Sequence, residues 1–98
     1  MDTQTLCIHR VNMNIRQEHI RKTIENLHIG SILKIDIVSK NKNKETDPYN
    51  MVFVHLKWNS TENATYAKHL LSSGKEIKIF YDTFWFWKLF AYNKVQIK

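Results

Sequence analysis

Residues 51–58 read Met-Val-Phe-Val-His-Leu-Lys-Trp, and this stretch decides the fold. Every second side chain is aliphatic, namely Val52, Val54 and Leu56. The side chains between them are mixed in character: Met51, Phe53, His55 and Lys57. Because side chains on a strand alternate between two faces, this pattern predicts a strand whose aliphatic side meets a core. An aromatic ring on the other side indicates either a binding surface or cover by another part of the chain.

Length and composition predict one folded domain spanning residues 1–98. The chain has 98 residues, of which 43% are hydrophobic and 12% aromatic, enough apolar surface for one modest core. No apolar run approaches the roughly 20 residues that span a bilayer, so no membrane association is expected. A single cysteine, Cys7, excludes an internal disulfide, and the start of the chain shows no secretory signal. We therefore expect an intracellular protein that is not secreted.

Periodicity outward from this stretch predicts six elements. These are strands near 5–11, 32–39, 51–58 and 76–81, and helices near 16–29 and 61–73. Asn14 with Gln17 is expected to cap the first helix, and Gly30 to end it in a left-handed conformation. Asn59 or Ser60 is expected to cap the second helix, and Gly74 to end it.

This order predicts a four-stranded antiparallel sheet with the spatial order 4-1-3-2 and both helices on one face, in the α+β class. Ile32 is expected to reach the core through a twist or bulge. The expected core is otherwise Leu6, Ile8, Ile20, Ile24, Leu27, Ile35, Ile37, Val52, Val54, Leu56, Ala64, Ala67, Leu70, Leu71, Ile77 and Ile79. Three of these, Ile24, Ile35 and Val54, are expected to be fully buried.

The domain core is expected to span about residues 4–82, followed by an aromatic C-terminal extension over about 83–98. A domain of this size cannot leave so much aromatic surface in water, so the extension either packs on the domain or docks on a partner. The candidate partner-binding anchors are Trp85, Trp87, Phe84 and Phe86. Residues 93–98 alternate again and indicate a possible extra edge strand.

Four stretches resemble a known family: Leu6-Cys7-Ile8, residues 35–40, Phe53-Val54-His55 and residues 81–88. The last stretch contains the unusual string Trp85-Phe86-Trp87. Together they resemble the RNA recognition motif (RRM), and more closely the RRM-like proteins of giant nucleocytoplasmic large DNA viruses. The resemblance covers nearly the whole chain and implies a ferredoxin-like βαββαβ sandwich. For a viral protein it implies the cytoplasm of the infected host or the virion.

The resemblance also implies single-stranded RNA binding by rings on the sheet face. The family's aromatic octamer matches residues 49–56, where Phe53 keeps a stacking ring and Met51 replaces another. Cys7 occupies the position of the third ring, on the first strand. His9, Met51 and Phe80 are expected to supply the remaining planar or polarisable surface.

The net charge of +6 favours encounters with polyanions. Lys40, Lys42 and Lys44 lie in the loop where the family often contacts the backbone, and a merely solvated loop is the alternative explanation. The full set of candidate nucleic-acid contacts is Phe53, His9, Met51, Arg10, Lys57, His55, Lys40, Lys42 and Lys44.

Catalytic and metal sites are not expected, and no cofactor is implied. Cys7, His9 and His55 share a predicted face. If Cys7 lies opposite Phe53, however, the two histidines are about 13 Å apart at strand rise, too far for one ion. Two functions remain: a non-enzymatic module for single-stranded nucleic acid, and a protein-interaction module that uses the sheet face or the aromatic tail.

Overall fold

The computed structural model describes residues 3–40 and 48–92. In chain order the elements are β1 (Thr3–Asn12), α1 (Gln17–Glu25), β2 (Gly30–Lys40), β3 (Tyr49–Trp58), α2 (Glu62–Ser72), β4 (Ile77–Phe80) and β5 (Phe86–Ala91). Within the described ranges, neither helix has the length and apolar character needed to cross a membrane. The six predicted elements are all present, and β5 is an additional strand.

The five strands form one antiparallel sheet with the order β2-β3-β1-β5-β4. The predicted four-stranded order 4-1-3-2 is wrong at one position, because β5 and not β4 pairs with β1. Cys7 lies opposite Phe90, and Ile8 lies opposite Leu89. β4 keeps its predicted place at an edge but lies beyond β5, and the core includes Trp87 and Leu89 from the region predicted to be the aromatic extension.

β5 belongs to the sheet because its alternate side chains fill the core. Trp87 and Leu89 are buried, with Trp87 only 4% exposed. The amide of Tyr81 donates to the carbonyl of Trp85 and closes the turn between β4 and β5. Trp87 is therefore a core residue and not the outward partner anchor that the sequence suggested.

Both helices pack on the same core. α1 contributes Ile20 and Ile24, and α2 contributes Ala64, Ala67 and Leu71. Ile24 and Val54 are fully buried as expected, whereas Ile35 is buried but remains 8% exposed. Ile37 departs from the expected core because it lies near the end of the edge strand β2 and remains exposed.

The observed start and end of the first helix both differ in detail from the predicted ones. Arg16 and not Asn14 is the N-cap of α1, since the Asn14 amide is turned toward the side chain of Asn12. The left-handed residue after α1 is His28 and not Gly30. Gly30 instead begins β2, where a Cβ atom would collide with the backbone carbonyl of Lys57.

The second helix begins one residue later than expected. The Thr61 hydroxyl is the cap and accepts a hydrogen bond from the Ala64 amide at 3.1 Å. Asn59 supports this cap because its side chain accepts from the Thr61 amide and hydroxyl. Gly74 adopts positive φ after the helix, consistent with its predicted role.

Two irregularities shape the sheet. In β2 the register with β3 shifts between Ile32 and Lys34, which leaves Leu33 exposed and lets Ile32 pack against the core, as predicted. In β1 the register shifts between Ile8 and Val11, so His9 and Arg10 together lie opposite Met51. A bulge of this kind re-aims side chains locally.

The two neighbouring tryptophans of the β4–β5 hairpin test whether β5 is part of the core. Trp87→Ala is expected to lower the free energy of unfolding by about 3–5 kcal/mol, because it removes a large buried side chain and leaves a cavity. Trp85→Ala is the matched control: Trp85 is 64% exposed, so its loss is expected to change the stability by about 0.5 kcal/mol or less. Urea unfolding followed by circular dichroism measures both, and equal effects would contradict the position of β5.

Candidate functional site on the open face of the sheet

The open face is the side of the sheet away from the two helices. Strand alternation places on it a set of aromatic, basic and polar side chains: Thr5, Cys7, His9, Lys34, Asp36, Val38, Lys40, Tyr49, Met51, Phe53, His55, Lys57, Lys78, Phe80, Phe86, Lys88, Phe90 and Tyr92. Arg10 joins this set through the bulge in β1. The face between Tyr49 and Lys57 is about 26 Å long at strand rise.

Aromatic rings lie on both sides of Cys7. Phe53 on β3 and Phe90 on β5 are both directly opposite Cys7, one on each side. The His9 ring stacks on Phe90 with 4.4 Å between ring centroids. Tyr92 meets Phe53 edge-on at 4.9 Å. Cys7 and Met51 carry no ring, and β5 supplies Phe90 and Tyr92 beside them.

Cys7 lies beneath this aromatic layer. It is only 1% exposed although its side chain is on the open face. Burial raises the pKa of the thiol to about 11, because the thiolate would lose its hydration. The thiol is therefore neutral near pH 7 and is a packing group between the rings.

His55 connects two polar neighbours. Its Nε2 atom is 2.9 Å from Oδ2 of Asp36, and its Nδ1 atom is 3.0 Å from the Thr5 hydroxyl. The hydrogen bond from His55 is the largest influence that lowers the pKa of Asp36, and the Lys34 ammonium at 3.6 Å lowers it further. Cys7 lies opposite Phe53, which is the condition under which the two histidines are too far apart for one ion, and Thr5 lies opposite His55. Among the described residues, no three His, Cys, Asp or Glu side chains are grouped to hold a metal ion.

Cations are spread over the open face. The Arg10 guanidinium lies 4.1 Å from the centroid of the Tyr49 ring, and the Lys78 ammonium lies 5.1 Å from that of Phe86. Lys78 is directly opposite Lys88, and both are exposed. Of the open-face residues defined above, Asp36 is the one carboxylate against six cationic side chains: Arg10, Lys34, Lys40, Lys57, Lys78 and Lys88.

The sequence-predicted site residues are only partly brought together. His9, Met51, Phe53, His55 and Lys57 lie on the open face, and Lys40 lies at its end on β2. Lys42, Lys44 and the expected strand at 93–98 fall outside the described residues.

The candidate anchors of the aromatic tail are divided among three environments. Phe84 and Trp85 are exposed in the turn before β5, Phe86 is on the open face, and Trp87 is in the core.

Sequence reasoning missed the contribution of β5 to the open face. Phe90, Tyr92 and Lys88 reach the open face only because β5 pairs with β1. The available signal was the alternation of Trp87, Leu89 and Ala91 with Phe86, Lys88, Phe90 and Tyr92, which is a strand period. The hydrogen bond between Asp36 and His55 was also missed, because it depends on the β2–β3 register.

Comparison of the chain with protein-family models, curated proteins and solved structures found no match.

The buried thiol makes Cys7 a test of this geometry. In the native protein near pH 8, alkylation of Cys7 by iodoacetamide is expected to be much slower than in denatured protein, because the thiol is both covered and protonated. Intact-mass measurement over time gives both rates, and denatured protein is the positive control. Equal rates in the native and denatured protein would show that the aromatic layer does not cover Cys7.

Proposed function

We propose that this protein is a non-enzymatic module that binds single-stranded nucleic acid on its open face. RNA is the ligand implied by the resemblance to RNA recognition motifs. The observation that carries the proposal is the combination of aromatic rings and cations on one sheet face, which is how proteins hold single strands. The relationship to the RRM-like proteins of giant DNA viruses stays a prediction.

We further propose that the fold is ferredoxin-like, with β5 as its fourth strand. The order β2-β3-β1-β5 is then the expected 4-1-3-2 arrangement read from the other edge. β4 would be an added edge strand that forms a hairpin with β5. This assignment accounts for both helices packing on one core.

The aromatic rings support base stacking at separate positions. Phe53 and Phe90 lie two strand spacings apart, or about 10 Å, because β1 runs between them. Bases stacked on the two rings would therefore contact the protein independently. His9 already stacks on Phe90, so the His9–Phe90 pair offers a wider planar surface than one ring.

The lysine pair on β4 and β5 supports phosphate binding. Like charges directly opposite each other on a sheet are destabilising, yet Lys78 and Lys88 are cross-strand partners on the open face. A phosphate between the two ammonium groups would remove this repulsion. Phosphate contacts position the nucleic acid on the protein, whereas the aromatic rings bind its bases.

Two sets of variants separate these contributions to binding of a fluorescent single-stranded RNA. Lys78→Gln with Lys88→Gln is expected to reduce the slope of log affinity against log salt by about 0.7, because the two ammonium groups share one phosphate and about 0.7 is lost per phosphate. Phe53→Ala is expected to weaken binding roughly 5- to 150-fold with the slope unchanged, since stacking contributes about 1–3 kcal/mol per base. Fluorescence anisotropy between about 50 and 200 mM salt measures both quantities.

Matched controls come from the helical side. Arg16→Gln with Lys22→Gln removes the same charge from α1, and Tyr66→Ala removes an exposed ring from α2. Neither control is expected to reproduce the effect of the open-face variants. If Phe53→Ala and Tyr66→Ala bind RNA alike near physiological salt, the open face is not the nucleic-acid site.

A second candidate function is protein binding through the turn between β4 and β5. Phe84 is 81% exposed and Trp85 follows it, also exposed, while Phe80 is exposed at the end of β4. Large aromatic side chains in water favour an interface, where Trp and Tyr contribute most of the binding energy. This turn lies at the edge of the sheet. A protein partner bound there would leave the open face free for a nucleic-acid strand.

Double replacement of Phe84 and Trp85 by Ser tests this second function. We expect the variant to lose a specific co-purifying protein while its RNA affinity and stability stay unchanged, because both side chains are exposed. Affinity purification with quantitative mass spectrometry measures the loss, and Phe53→Ala is the reciprocal control. Identical sets of co-purifying proteins from wild type and the double variant would exclude the turn as an interface.

A further inference from the structure

A pocket of about 250 Å³ opens at one end of the open face, lined by Thr5, Asp36, Phe53, His55 and Tyr92. Two of these are aromatic, and their rings meet edge-on. The other three form the hydrogen-bonded chain from the Thr5 hydroxyl through His55 to the Asp36 carboxylate. The pocket therefore combines ring surface with a short polar edge.

The polar edge offers acceptors and no free imidazole donor. An ionised carboxylate only accepts hydrogen bonds, so Nε2 of His55 carries the hydrogen that it donates to Asp36. In the neutral ring Nδ1 then accepts from the Thr5 hydroxyl. A carboxylate has about four acceptor positions, so both Asp36 oxygens keep capacity beyond His55 and Lys34.

Asp36 also stays ionised across the neutral range, because His55 and Lys34 hold the pKa of its carboxyl below the ordinary value. A negative charge at this point repels phosphate, unlike the rest of the open face. The pocket is consequently unsuited to the backbone of a nucleic acid and suited to a flat group that presents hydrogen-bond donors.

We propose that this pocket binds a guanine base of the single strand, with the base against Phe53 or Tyr92 and its N1–H and N2–H groups donating to Asp36. Guanine presents two adjacent donors on its pairing edge, and these match the two oxygens of one carboxylate. Uracil presents one N–H between two carbonyl oxygens, which the carboxylate repels. Adenine and cytosine each present one amino group beside a ring nitrogen that accepts.

His55 and Thr5 act as positioning residues in this proposal. The hydrogen bond from His55 holds the Oδ2 atom of Asp36 in position, and the hydrogen bond from the Thr5 hydroxyl holds the His55 ring in its orientation. Thr5 is itself anchored because its backbone carbonyl accepts from the Tyr92 amide at 2.9 Å. The carboxylate is thus held in one orientation beside the rings.

The inference rests on the proposed binding of single strands and is tested with short uridine RNAs whose central nucleotide alone is changed. Near physiological salt, a central guanosine is expected to bind wild-type protein roughly 5- to 150-fold more tightly than adenosine, cytidine or uridine, the range for discrimination by a bidentate pair. Inosine, which lacks the N2 amino group, is expected to be intermediate. Fluorescence anisotropy gives each affinity.

Asp36→Asn is expected to abolish the preference for guanosine without weakening binding of the all-uridine strand, since the ring contacts and cations remain and a charge that repels uracil is removed. His55→Gln is expected to reduce the preference for guanosine as well, because the Asp36 carboxylate loses the ring that orients it. Asp82→Asn is the matched control, because it removes an exposed carboxylate from the β4–β5 turn and is expected to keep the full preference.

The outcomes distinguish this inference from the function on which it rests. Binding of every strand with equal affinity, still weakened by Phe53→Ala, overturns the guanine site and leaves the proposed function standing. A guanosine preference that survives Asp36→Asn also overturns it. Absence of any binding near physiological salt overturns both.

Discussion

The pairing of β5 with β1 is the constraint on which the other features of this protein depend. β1 is hydrogen-bonded on both sides, to β3 and to β5, and its core residues Leu6 and Ile8 are completely buried. Because side chains alternate along a strand, placing Phe90 opposite Cys7 decides which face every other β5 side chain occupies. Trp87 and Leu89 complete the core, and the intervening residues reach the open face. A shift by one residue would exchange these two sets.

Much of the architecture was accessible from the sequence because its first three strands separate aliphatic from other residues. Val52, Val54 and Leu56 have the clear period of two that defines a face, whereas the pairing of Cys7 with Phe53 could only be assumed and is seen in the structure. β5 was missed because both of its faces carry aromatic side chains. Its period of two is present in the sequence, but with large apolar side chains on both faces that period is weak, and pairing with β1 makes the strand evident. The end of α1 was misplaced because Leu27 has helical spacing although the chain has already left the helix.

The residues of the candidate site were likewise only partly predictable from the sequence. Phe53, His9 and His55 were identified because each is an unusual side chain at an outward strand position. Phe90 and Tyr92 were not assigned to the site, since membership depended on the unseen strand. The chain of hydrogen bonds from Thr5 through His55 to Asp36 joins three strands, and a contact of this kind is determined by register and bulge positions that a single sequence does not reveal. Local sequence patterns predicted which residues face outward. Which of these residues lie close together is determined by the order and register of the strands in the sheet.

The bulge at Leu33 affects how separate copies of the protein meet. β2 is an outer strand of 11 residues, and a long edge strand presents unpaired backbone groups with which another chain can form a continuous sheet. The register shift after Ile32 interrupts that row, and Lys34 and Lys40 place positive charge along it. At the opposite edge β4 has only four residues, too few to template a long pairing. Over the described residues, the bulge and lysines of β2 and the shortness of β4 therefore both disfavour extension of the sheet by a strand from a second copy.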